Sequence, residues 1–507
     1  MLQASSADRP VPGVAVTLET SSGPVRGFRD ARGMRFLGIP YAAAPVGADR
    51  LRPPRARPPW TTVQAADNPG PWPPQNSTRH SLTLGEATRQ DEDCLTVNVW
   101  TPGLDGPPRA VLVWLHGGGF VEGGGASRRY NGGPLAAARD IVVVTGNYRI
   151  GLLGFAAHES LRDPGTGAVG NWGLLDQMLM LRWVHANVSA FGGDPSRVAL
   201  VGHSAGAMSV CDLMAMRQAR GLFRRAIAQS GGPSAVPLAD AARTVEWVVK
   251  RLGLDDPVQL RTVPVEDLLR AQRDLAMAGR GFATRPVIDG VTLERHPLDV
   301  DVDLEPLPLM IGTTRDEVRY FYAGTPILDE LTDRALVGRI GHAVGVERGR
   351  EIIAAYRRAR AARGQGTSPG ELLVAIESDR TLRVPATRFA ERIAGVQPST
   401  YMYRFDVEVG NGRGAAHGVD LPFVFGDPAT DRWDQDAAAL RDRVQRSWSR
   451  WTGGSDPAGE QASGWPRYDT ARRATRIFTS MHPDGGEVVD APDEPERAVW
   501  HDGEVQV

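Results

Sequence analysis

What most constrains the fold of this chain is a recurring series of short apolar runs. Leu95-Thr-Val-Asn-Val-Trp100, Ala110-Val-Leu-Val-Trp-Leu115, Ile141-Val-Val-Val-Thr145 and Val198-Ala-Leu-Val201 are followed by Arg225-Ala-Ile-Ala-Gln229 and Leu307-Pro-Leu-Met-Ile-Gly312. Each is too short for a stable helix, and most are continuous rather than alternating, so they read as strands buried on both faces. Between the third and fourth lies a longer helical pattern, Leu174 to His185. Apolar strands alternating with helices predict an α/β fold, a mostly parallel central sheet flanked by helices.

The remaining segments are placed around that frame. Val14-Ala-Val-Thr-Leu18 and Pro24-Val-Arg-Gly-Phe28 flank Ser21-Ser-Gly23 and predict an N-terminal hairpin. The proline-rich stretch from Pro53 to Pro74 is expected to be loop. Residues 238–280 and 325–395 are rich in Arg, Ala and Leu in a helical pattern. No linker-like segment isolates them, so they are expected as helical insertions over the C-terminal edge of the sheet, within a single domain covering 1–507. The ends, 1–13 and 484–507, are expected to be flexible, the second being acidic and loop-like.

Composition narrows the function classes. With 58 basic and 60 acidic residues the formal net charge is −2, so no basic excess draws nucleic acid or an anionic membrane surface. No apolar run approaches the roughly 18 residues of a spanning helix, and the opening Met1 to Pro10 has no apolar signal core. The two cysteines, Cys94 and Cys211, lack CxxC spacing. They form neither a disulfide framework nor a metal site and read as small buried hydrophobes. A single lysine, Lys250, stands among 57 arginines, a codon bias that points to a GC-rich bacterial genome. The expectation is a cytoplasmic protein with no nucleic-acid or membrane partner, its oligomeric state open.

Two glycine-rich motifs carry chemistry. Gly202-His-Ser-Ala-Gly206 follows the run Val198–Val201 and precedes an apolar helical stretch, Ala207-Met-Ser-Val-Cys-Asp-Leu-Met214. Strand, tight turn and helix are the setting of a nucleophile elbow, which thrusts Ser204 out over the end of the sheet. The following helix aims its first N–H groups at developing negative charge. Upstream, His116-Gly-Gly-Gly-Phe120 directly follows Ala110–Leu115. Consecutive glycines leave N–H groups free to converge on one oxygen, as in an oxyanion hole. The pair in this order is far more specific than a GxSxG pattern alone.

A serine nucleophile needs a base and an acid to orient it, in the order Ser, acid, His for this architecture. His296, His342, His417, His482 and His501 follow Ser204. His417 lies in the small-residue loop Gly412-Arg-Gly-Ala-Ala-His-Gly418, which suits delivery of an imidazole to the sheet edge. Asp316 and Glu317, in Thr313-Thr-Arg-Asp-Glu317, are both acid candidates, and spacing does not choose between them.

At this point the chain resembles the type-B carboxylesterases, the family of cholinesterases and bacterial para-nitrobenzyl esterases. The resemblance runs from about residue 14 to 480. It rests on Phe36-Leu-Gly-Ile-Pro-Tyr-Ala42, Glu92-Asp-Cys-Leu95, Asn147-Tyr-Arg-Ile-Gly-Leu-Leu-Gly-Phe155, Gly170-Asn-Trp-Gly-Leu-Leu-Asp-Gln177, Phe191-Gly-Gly-Asp-Pro195, Pro286-Val-Ile-Asp-Gly290 and Trp465-Pro-Arg-Tyr-Asp469. It implies an α/β-hydrolase fold, with Ser204 as nucleophile, His417 as base and Glu317, rather than Asp316, as acid. It also implies an oxyanion hole from Gly118, Gly119 and Ala205, and a structural ion pair between Arg50 and Glu92. The implied activity is hydrolysis of a small-molecule ester through an acyl-enzyme on Ser204. No metal or cofactor is implied.

Three departures bear on that implication. The family usually has glutamate before the nucleophile, where this chain has His203, either a second polar group in the site or a packed side chain. No cysteine precedes Cys94, so the disulfide that closes a loop in animal members cannot form. Gln75 to Asp93 holds no aromatic residue to grip a quaternary ammonium, which argues against choline esters. Phe120, Phe155, Trp172, Tyr320 and Phe321 are candidates for the pocket wall. The same residues would serve hydrolysis of a carbamate, amide or lactone, or acyl transfer. A non-catalytic binding protein and an interfacial lipase are weaker alternatives.

Overall fold

The N-terminal hairpin is β1 (Val14–Thr20) and β2 (Gly23–Asp30), followed by β3 (Gly33–Pro40). A two-residue strand, β4 (Gln64–Ala65), interrupts the proline-rich loop. The apolar runs then become β5 (Thr96–Thr101), β6 (Arg109–Leu115), β7 (Val142–Gly146), β8 (Gly193–His203) and β9 (Arg225–Gln229). Short strands β10 (Val236–Pro237) and β11 (Val287–Ile288) form a separate two-stranded sheet among the described residues. β12 (Leu309–Thr314), β13 (Thr400–Phe405), β14 (Ala474–Phe478) and β15 (Gly486–Asp490) complete the set. These come from a computed structural model that describes residues 13–76, 89–281, 283–299, 304, 306–408, 414–428, 430, 436–459, 464–479 and 486–500.

The main sheet runs β1-β2-β3-β5-β7-β6-β8-β9-β12-β13-β14-β15, with β4 beside β2. From β7 to β14 every pairing is parallel; the pairings on either flank are antiparallel, apart from β4 with β2. The architecture is that of an α/β hydrolase. β6 lies between β7 and β8, and its residues Val111 to Leu115 are wholly buried. Alternate side chains of a strand point to opposite faces, and two apolar layers divide here accordingly. Val111 and Val113 pack with the helices Trp172–Asn187 and Ala205–Ala215. Leu112 and Trp114 pack with the helices Gly133–Arg139 and Ala437–Thr452.

The segment 238–280 forms helices Leu238–Leu252 and Val265–Met277. The segment 325–395 forms Ile327–Glu330, Asp333–Val344, Val346–Ala362, Pro369–Ser378 and most of Val384–Val396, with a π-helical turn at Asp379–Arg383. The latter helices carry their own apolar cluster around Leu336, Ile340, Tyr356 and Leu372.

The acidic end, expected from 484 onward as a flexible loop, is instead ordered over 486–500. β15 pairs antiparallel with β14, a helical turn spans Glu494–Arg497, and Trp500 is buried with its Nε1 donating to the Tyr356 hydroxyl at 2.8 Å. Its carboxylates are not a solvated run. Asp493 pairs with Arg404, and Glu496 with Arg363. Residues 1–12 and 501–507 lie outside the described residues.

Candidate active site

In an open parallel sheet, sites form outside the carboxyl ends of the strands. Here β6, β8 and β12 deliver the glycine loop, Ser204 and Glu317 to that edge, and the loop after β13 returns His417 to it. Ser204 closes β8 with φ 56° and ψ −124° and opens the helix Ala205–Ala215. The backbone holds this conformation, unfavourable for a residue with a Cβ. Ser204 N donates to Gln229 O at 2.8 Å, and Ser204 O accepts from Met208 N at 2.9 Å. The glycines on either side are required by contact: a Cβ at Gly202 would lie 2.3 Å from Gly206 O, and one at Gly206 would lie 2.1 Å from Leu115 O.

The glycine loop is locked from behind. His116 is kept neutral by burial, which pushes its pKa down to about 4 against the pull of its bond to Gly117. Its Nδ1 donates to Gly117 O at 2.9 Å, and its ring stacks on Tyr148 at 4.2 Å. Gln75 clamps the far side, bonding both N and O of Gly123 at 2.9 Å. The carbonyl of Gly118 turns inward to accept from Val121 N and Glu122 N at 3.0 Å. Among the described residues the amides of Gly118 and Gly119 donate to no protein acceptor. The N–H of Ala205, first in its helix, has no carbonyl within that helix to bond. A Cβ on Gly117 would sit 2.9 Å from the Ser204 Cβ.

Glu317 is wholly buried. Its Oε1 accepts from Thr314 N at 2.7 Å, and its Oε2 lies 2.6 Å from His417 Nδ1. His417 N donates to Glu317 O at 3.2 Å, so backbone and side chain both join the two loops. Asp316 turns the other way. Burial would raise its pKa, but Arg315 and the Ala415 N–H hold it below the usual carboxylate value. Asp316 and Glu317, equivalent in the sequence, therefore separate: Glu317 meets His417 and Asp316 faces a different cleft. His296 and His342 lie away from this cavity; His482 and His501 fall outside the described residues.

Ser204 and His417 share a cavity of about 340 Å³ with Gly117, Gly118 and Gly119. A larger cleft of about 440 Å³ lies on the opposite side of the Asp316 loop, lined by Arg315, Arg360, Arg404 and Asp493. Its charges largely pair with one another, and it holds neither Ser204 nor His417.

A profile of the Carboxylesterase family matches residues 14–492. The chain belongs to the carboxylesterase family. It is 34% identical over 477 residues to the para-nitrobenzyl esterase of Bacillus subtilis (strain 168), covering 91% of this chain and 94% of that one. It is 35% identical over 472 residues to the phenmedipham hydrolase of Pseudarthrobacter oxydans, covering 89% and 92%. Among solved structures, a thermophilic para-nitrobenzyl esterase superposes with a TM-score of 0.83 at 33% identity, covering 95% of this chain and 99% of that one. The chain is accordingly a hydrolase of carboxylic esters.

In this carboxylesterase the position before the serine is built differently from the family pattern. The His203 ring centroid lies 4.4 Å from that of His417. Burial holds the His203 pKa well below the ordinary imidazole value, and nearby His417 and Arg129 push it the same way. His203 is thus both packed and polar: it lines the cavity, yet its Nε2 is buried without a partner among the described residues. Of the five aromatics expected at the wall, Tyr320 and Phe321 line the cavity, 6.0 and 5.6 Å from the His417 ring. Phe120, Phe155 and Trp172 are buried core. Trp72, Arg129 and Tyr130, which sequence reasoning passed over, complete the wall. Cys94 and Cys211 are free and buried. Arg50 and Glu92 form a bidentate pair, at 2.7 and 2.5 Å. Much of the stretch Gln75–Asp93, where an aromatic was sought, lies outside the described residues.

Proposed function

We propose that Ser204 is the nucleophile of this carboxylesterase, His417 its general base and Glu317 the acid that orients the base. Ser204 Oγ attacks the ester carbonyl as His417 Nε2 takes its proton. The negative charge on the carbonyl oxygen is met by the N–H groups of Gly118, Gly119 and Ala205. Collapse expels the alcohol, protonated by His417, and leaves an acyl-enzyme. Water, deprotonated by the same imidazole, releases the acid. Glu317 Oε2 fixes the tautomer with the proton on Nδ1 and stabilises the imidazolium formed in each half-reaction. An oxyanion donor of this kind contributes about 3–4 kcal/mol.

The observation that carries this reading is the 2.6 Å contact between His417 Nδ1 and Glu317 Oε2 beside the cavity that opens on Ser204 and the unbonded glycine amides. The test is labelling with a fluorophosphonate, followed by peptide mapping, beside a p-nitrophenyl ester series from acetate to laurate. Labelling at Ser204 with ester turnover supports the assignment. A Ser204→Ala protein that keeps near-wild-type hydrolysis refutes it.

No helix of the described residues is long and apolar enough to cross a membrane. We infer a cytoplasmic location, supported by two buried thiols left unpaired. Recovery of the activity with a periplasmic or secreted fraction of the host would contradict it.

A further inference from the structure

Arg129 stands out in the cavity. It lies on the 3-10 turn Arg128–Tyr130, where Ser127 Oγ accepts from Arg129 N at 3.4 Å. Arg128 is exposed and Tyr130 is buried, whereas Arg129 is half-buried and lines the cavity that holds Ser204 and His417. Its guanidinium lies within hydrogen-bonding reach of the Tyr320 hydroxyl, and close enough to His203 to disfavour positive charge there.

What it lacks, among the described residues, is an ion-pair partner. The most buried arginines of this chain have carboxylate partners, as in Arg149 with Asp176 and Arg383 with Asp379. Among the described residues no carboxylate pairs with Arg129. Glu122 shares the wall but is engaged in a contact of its own. A guanidinium presents five donors, of which a phenol oxygen satisfies one or two. Holding such a cation half out of water without an anion is unfavourable. A carboxylate meets its fork with two parallel bonds. The rest of the wall is largely apolar, including Trp72, Val121, Tyr130 and Phe321, and suits a hydrocarbon or aromatic body.

We propose that Arg129 selects esters that carry a carboxylate of their own, such as half-esters of dicarboxylic acids or acylated hydroxybenzoates. This rests on the reading of Ser204 as nucleophile. Arg129 takes the free carboxylate in a bidentate pair, and the Tyr320 hydroxyl turns to donate to the same group. The scissile carbonyl then lies between Ser204 and the glycine amides. Arg129 makes no contact with the reacting atoms; its role is to choose and register the substrate.

The test uses two pairs of esters. 4-Nitrophenyl hydrogen glutarate against 4-nitrophenyl hexanoate places the charge on the acyl side; 3-acetoxybenzoate against 3-acetoxytoluene places it on the alcohol side. In at least one pair the charged member is expected to be favoured by about tenfold or more in kcat/KM at low salt, the scale of one charge-assisted contact. Arg129→Gln should collapse that ratio, and Arg129→Lys should retain part of it as a point charge without the fork. Ratios at or below one in both pairs, or a ratio unchanged in Arg129→Gln, would overturn the proposal. Fluorophosphonate labelling of Ser204 separates the two levels. A labelled protein that turns over the neutral esters but shows no charge preference refutes only the role of Arg129. A protein that neither labels nor turns over any of the four refutes the nucleophile assignment, and this inference with it.

Discussion

The imidazoles of His203 and His417 lie 4.4 Å apart, centroid to centroid, inside the same cavity wall. Two rings at that distance cannot both carry charge without strong repulsion, and burial already keeps His203 neutral. Other charged or titratable groups around His417 are Glu317, Asp420, Tyr320 and, beyond His203, Arg129. Replacing His203 by Glu, the residue usual in the family, adds a carboxylate beside the base. That negative charge favours positive charge on the neighbouring imidazole, so activity is lost at a higher pH on the acid side. The expected displacement of the acid limb of kcat/KM is on the order of one pH unit. His203→Gln, which adds no charge, should leave the limb in place. Matching profiles for wild type and both variants would show that the ring only packs.

Glu317→Gln should keep the fold and lose about 10⁴-fold in kcat, because an amide facing His417 Nδ1 favours the wrong tautomer and leaves the imidazolium unsupported. Asp316→Asn, one residue away, should cost far less, since Asp316 faces Arg315 and Ala415. Steady-state rates with circular dichroism as a fold control decide this. Equal losses for the two variants would contradict the separation of roles.

The strained conformation of Ser204 predicts a trade between stability and activity. Alanine and glycine both remove the hydroxyl, but only glycine adopts φ 56°, ψ −124° without a Cβ penalty. Ser204→Gly should therefore be more stable than Ser204→Ala by about 1 kcal/mol, with both inactive. Urea midpoints measure the difference, and Ser204→Ala proving the more stable would be the contrary result.

Asp212, buried in the helix that Ser204 opens, has its pKa pushed up to about 8 by burial, against the pull of the Ser234 N–H. Its folded pKa lies above the unfolded value of about 3.9. The associated stability is therefore fully present below about pH 4 and lost as pH rises through 8. Asp212→Asn imitates the neutral acid and should flatten this dependence. Its thermal midpoint should gain on wild type between pH 6 and 9, whereas parallel curves would show that Asp212 is ionised in the folded state.

Much of this was legible from residue patterns, for reasons particular to each element. β5 to β7, and β8 from Val198 onward, are buried on both faces, so their apolar runs stand out, and the glycine motifs announce themselves because the backbone contacts at Gly202 and Gly206 exclude any Cβ. β13 and β14 were missed because Thr400-Tyr-Met-Tyr-Arg-Phe405 and Ala474-Thr-Arg-Ile-Phe478 mix arginine and threonine into buried strands. Arg404 is tolerated there because Asp406 and Asp493 pair with it. The ordered end at 486–500 hid behind its acidic composition for the same reason: its partners are arginines remote in the chain. The choice between Asp316 and Glu317, and the presence of Arg129 in the cavity, depend on where loops return after long excursions. Local sequence does not encode either.

That return has a consequence for how the protein comes into being. Ser204 precedes Glu317 by 113 residues (317 − 204), and His417 follows Glu317 by a further 100. As the chain leaves the ribosome, the elbow at Ser204 can form long before the imidazole proposed as its base has been synthesised. On that assignment a half-made chain carries a hydroxyl without its base. Reactivity toward a fluorophosphonate then works as a clock for maturation, starting only when β13 has docked beside β12 and the last piece of the machinery swings home.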